Sequence, residues 1–60
     1  MNKLKIKYLT QNYEVKEYEV IPEMIFFGHI DNLDTEDWVL KTQCGDVAKY
    51  FLLKNILKFN

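Results

Sequence analysis

Cysteine occurs once in this 60-residue chain, as Cys44. An intrachain disulfide is therefore excluded, and a lone thiol fits a reducing compartment. Arginine is absent, so all eight basic residues are lysines. Lysine is a point charge without the guanidinium's bidentate fork. With a net charge of −1, that makes a poor nucleic-acid footprint, and nucleic acid is not the expected partner. Histidine also occurs once, as His29. With Asp31, Asp34 and Cys44 it supplies metal-ligand residue types without any metal-site spacing, so no metal or other cofactor is expected. There is no Ser/His/Asp arrangement, no glycine-rich phosphate loop and no paired-carboxylate motif, and an enzyme is not expected. No apolar run approaches bilayer-spanning length. The opening residues Met1 to Lys7 alternate charge with hydrophobe rather than forming a secretory apolar core. A cytoplasmic location without membrane contact is the expectation.

What is present is apolar and aromatic: 48% of residues are hydrophobic and 15% aromatic, which argues against disorder. A chain of this length holds one domain, residues 1–60, and buries only about 60% of the surface its unfolded form exposes. With neither disulfide nor metal as a staple, stability has to come from aromatic packing, sheet closure or self-association, and a homo-oligomer is expected.

The small net charge conceals a strong segregation. Lys3, Lys5 and Lys7 give residues 1–12 a charge of +3, and Lys49, Lys54 and Lys58 give residues 47–60 the same. Between them nine carboxylates outweigh Lys16 and Lys41, for a charge of −7. If the first and last strands are neighbours, the lysines form one patch.

Strict alternation over residues 3–9, lysines against Leu4, Ile6 and Tyr8, predicts a half-buried strand. Thr10-Gln11-Asn12 suits a reversal. The next strand changes parity between Val15 and Tyr18, which predicts a β-bulge near Lys16-Glu17. Pro22 marks a break or an edge. Met24 to Phe27 reads as a strand buried on both faces, and Asp34 to Asp37 as a helical turn capped by Asp34. Trp38–Gln43 and Val47–Leu53 are strands around a turn at Gly45, which supplies positive φ. A short 3-10 turn at Lys54–Ile56 and a last strand at Leu57–Phe59 complete the chain. The fold class is all-β: a small, five-stranded, strongly bent antiparallel barrel of Sm or Src-homology-3 type. The rival reading winds Ala48–Lys58 into a C-terminal helix, since Leu52, Leu53, Ile56, Leu57 and Phe59 partly fit helical spacing.

From Trp38-Val39-Leu40-Lys41, through Gly45-Asp46, to Lys49-Tyr50-Phe51-Leu52-Leu53-Lys54-Asn55-Ile56, the chain resembles the WYL domain family. Ile6-x-Tyr8, Ile21-Pro22 and Gly28, ten residues before Trp38, extend the resemblance to its compact branch. It implies a small Sm-like barrel that binds a nucleotide-like or other anionic ligand in a bacterial or phage regulator. The chain departs from the pattern at Val39 (tyrosine in the family), at Lys49 and Tyr18 (arginines) and at Asn32-Leu33 (an aromatic-histidine pair).

The expected function is thus a non-enzymatic binding module, regulatory or sequestering. Lys49, Trp38, Tyr8, Tyr18 and Lys41 are its candidate ligand residues, with Lys49 as the anion contact. The alternative is a phage-encoded inhibitor that blocks a host protein through an apolar edge or through the acidic loop of Asp31, Asp34, Glu36 and Asp37.

Overall fold

The computed structural model describes residues 3–30 and 35–59. Five strands follow one another as β1 (Leu4–Leu9), β2 (Val15–Gly28), β3 (Asp37–Cys44), β4 (Val47–Leu52) and β5 (Ile56–Phe59), with a 3-10 turn at Leu53–Asn55 between the last two. The chain is all-β, and its C-terminal part is strand and 3-10 turn where the rival reading has a helix. All pairings are antiparallel, in the order β4-β3-β2-β1-β5. The outermost strands β4 and β5 are not paired to each other, so the sheet bends over on itself without closing into the expected barrel.

The bend lies in β2. Its first half, Val15–Val20, pairs with β1; its second half, Ile21–Gly28, pairs with β3. Pro22 stands where one neighbour is exchanged for the other, and the register slips just after it, between Pro22 and Met24. A proline nitrogen cannot donate to a ladder, so it is tolerated at such an irregularity. The bulge expected at Lys16-Glu17 is absent: the register runs unbroken from Leu9↔Val15 to Leu4↔Val20. Tyr13 belongs to the preceding turn and Val15 faces solvent, so the parity change needs no extra residue. The two strands read on either side of Pro22 are one 14-residue strand.

Register partners share a face of the sheet. Ile6, Val20, Leu40 and Phe51 meet on the inner face as the core, with Leu4, Tyr8, Tyr18, Leu53 and Ile56 packed around them. Val39 and Leu52, partners of each other, are buried on the opposite face. Met24–Phe27 is not buried on both faces: Met24, Ile25 and Phe27 are exposed, in the half of β2 that pairs with β3 but not with β1. Asp37 already belongs to β3 rather than to a helical turn, and Asp34 lies outside the described residues.

Candidate functional site

The β1–β2 hairpin ends in a turn in which the Thr10 amide donates to the Glu14 carbonyl (2.8 Å) and the Tyr13 amide to the Thr10 carbonyl (2.9 Å). The Glu14 amide donates to the Thr10 hydroxyl at 3.2 Å. These bonds hold Tyr13 at φ 63°, a left-handed conformation that L-residues, unlike achiral glycine, adopt at a cost.

Beside this turn lies a cleft of about 420 Å³, within the usual range for small-molecule sites. Phe51 forms part of its lining, with Tyr8 and Tyr18 from the hairpin, Gln11 and Asn12 from the turn, and Lys49 and Tyr50 from β4. The two hairpin tyrosines flank Phe51 at ring-centroid distances of 4.9 Å (Tyr8, interplanar 74°) and 5.1 Å (Tyr18, 57°). The Tyr8 hydroxyl accepts a hydrogen bond from the Leu52 amide at 2.9 Å. Its polar end is thereby committed to the fold, leaving its ring as wall.

Lys49 is exposed and carries its ammonium 5.5 Å from the centroid of the Tyr18 ring, a cation–π contact of about 0.5–1 kcal/mol at an exposed site. Its backbone is fixed by Thr42, a fully buried residue whose hydroxyl donates to the Lys49 carbonyl at 2.9 Å. Lys3, Lys41 and Lys54 have carboxylate partners at 4.0, 3.7 and 3.1 Å. Lys49 has none among the described residues. An unneutralised cation beside aromatic rings and turn amides is suited to a planar anion: the rings stack on its faces and the ammonium meets its charge.

Of the five expected ligand residues, this cleft gathers Tyr8, Tyr18 and Lys49. Trp38 stands elsewhere, edge-on to Phe27 at 5.3 Å. Lys41 lies on the opposite face of β3 from Leu40 and Thr42, paired with Glu23. Of the acids, Asp31 and Asp34 lie outside the described residues. Glu36 is 4.0 Å from His29 Nε2. Asp37 accepts from the Trp38 amide at 2.8 Å and pairs with Lys54. The Trp38 amide first, then the Lys54 ammonium, holds the Asp37 carboxyl below its ordinary value.

The lysine-rich ends do adjoin, since β1 pairs β5 with Lys7 opposite Lys58. The patch is nevertheless interrupted, because Glu19 stands across from Lys5 and Glu17 across from Lys7. Tyr50, an aromatic that reads as a stacking platform for a base, also lines the cleft, whereas sequence reasoning missed Gln11 and Asn12 as site residues. These two read only as turn formers, and no periodicity brings a hairpin turn next to β4.

Among the described residues no helix is long and apolar enough to cross a membrane, and no group of three or more potential metal ligands is assembled. In comparisons with family models, curated proteins and solved structures, the chain matches none of them.

Proposed function

We propose that this chain is a non-enzymatic binding module that takes a nucleotide-like anionic ligand in the cleft of Tyr8, Tyr18 and Lys49, acting as a regulatory or sequestering protein. The observation that carries the reading is the Lys49 ammonium, held beside the Tyr18 ring with no carboxylate partner among the described residues. Gln11 and Asn12 add amide donors and acceptors at the rim, enough to orient a base edge or a sugar. The resemblance to WYL domains supports the same ligand class. Its motif departs at the family's arginines, so the chain offers a single charge in place of a bidentate clamp. Modest affinity and selectivity for a single phosphate follow.

A thermal-shift series with mono-, di- and cyclic oligonucleotides tests this. A ligand at ten times its Kd adds about 1.4 kcal/mol, which in a domain of this size raises Tm by about 6–11 °C. Lys49→Ala should abolish the shift while lowering the unliganded Tm by about 2–8 °C, the worth of its cation–π contact with Tyr18. An equal shift in the variant, or none in the parent with any of these ligands, rejects the reading.

A further inference from the structure

The bent sheet has a second opening at the other end of β1, marked by Leu4 where the first is marked by Tyr8. It is a cleft of about 240 Å³ lined wholly by apolar residues, among them Leu4, Pro22, Ile25, Leu53, Ile56 and Phe59, with Ile6 and Leu40 of the core in its wall. The inner face continues past it, because Phe27 and Trp38 follow Ile25 and Leu40 at two-residue spacing and are register partners. Ile25 is 55% exposed, Phe27 54%, Trp38 53% and Phe59 67%. Phe59 stands on β5, whose outer edge has no strand neighbour among the described residues.

We infer that this apolar seam is the self-association surface of the protein, covered in solution by the same seam of a second copy. Area supports this occupant. A compact monomer of 7.2 kDa exposes about 4,100 Å². This chain exposes 4664 Å², an excess of roughly 500 Å² over that expectation. With three large aromatic side chains half to two-thirds exposed, the seam itself presents roughly 500 Å² of apolar surface. A standard interface takes about 800 Å² per partner, and homodimer interfaces are about 65% apolar. The seam therefore matches the apolar share of one such half-interface. Seam-to-seam contact is isologous and closes at two copies. It leaves the tyrosine–lysine cleft, at the other opening, free.

The test reads mass and location together. Trp38 is the only tryptophan, so its emission reports this seam alone. Light scattering of the full chain over a concentration series should show mass rising to twice 7.2 kDa, with Trp38 emission shifting to the blue along the same curve. Ile25→Thr with Phe59→Ser, both at exposed positions, should weaken association by at least about 30-fold and keep Trp38 emission red, with the strand signal in circular dichroism retained. Val47→Lys, on the free edge of β4, should change neither readout. A parent that stays monomeric at every soluble concentration overturns the inference. So does a dimer that forms without a Trp38 shift, or one that only Val47→Lys dissociates. Those last outcomes place the contact on an edge strand, or leave the seam for a different protein.

Discussion

At Tyr13 the chain accepts a conformation its side chain disfavours. The residue is 86% exposed, so packing contributes almost nothing there, while its φ of 63° carries a steric cost of about 1–2 kcal/mol. Glycine occupies that region freely but loses about 0.5–1 kcal/mol of chain entropy on folding. Tyr13→Gly is therefore expected to raise stability by about 0.5–1 kcal/mol, seen as a higher urea midpoint at unchanged m-value. A lower midpoint would mean that Tyr13 makes contacts worth more than its strain. Nothing in the alternating pattern announces this residue. It reads as one more apolar strand position until the hydrogen bonds of the turn are known.

Among the elements, β2 carries most of the architecture, serving one neighbour before Pro22 and another after it. The 3-10 turn has a different task, fastening the chain after β4 to the start of β3 through Lys54 and Asp37 at 3.1 Å. Because the folded Asp37 carboxyl titrates below its ordinary value, the fastening contributes stability above the unfolded value of about 3.9. That contribution is lost as pH falls through the folded value. The pair is exposed, so its share of stability is small. Lys54→Met should raise the Asp37 value only part of the way, since the Trp38 amide, the larger cause, remains. Carboxyl-carbon NMR titration of both proteins checks this. Full return to the ordinary value would show the amide bond to be ineffective, and no change would show the same of Lys54.

For the molecule as a whole, a core of four inner-face side chains is a narrow foundation. A 60-residue domain has roughly 3–9 kcal/mol of stability, and removing a buried phenylalanine side chain costs about 3–5 kcal/mol. Phe51, almost fully buried and flanked by both hairpin tyrosines, is the residue whose loss the fold can least absorb. Phe51→Ala should therefore lose about 3–5 kcal/mol, half or more of the mid-range stability, seen as a collapse of the urea midpoint. A loss below about 1 kcal/mol would show that the aliphatic residues suffice.

The sequence by itself determined the all-β class, the first strand, the Gly45 turn at φ 64° and a 3-10 turn before the last strand, while the meeting of the lysine-rich ends waited on the pairing of β1 with β5. Each of the determined features depends on a local rule such as alternation or a left-handed glycine. Tertiary structure alone decided that β2 runs through Pro22, that the sheet stays open, and that Lys49 joins Tyr8 and Tyr18 while Trp38 and Lys41 do not. A side chain's company depends on which strands become neighbours. That choice is made by burying area across the whole sheet, where residues 44 positions apart, such as Tyr8 and Leu52, are placed within hydrogen-bond reach.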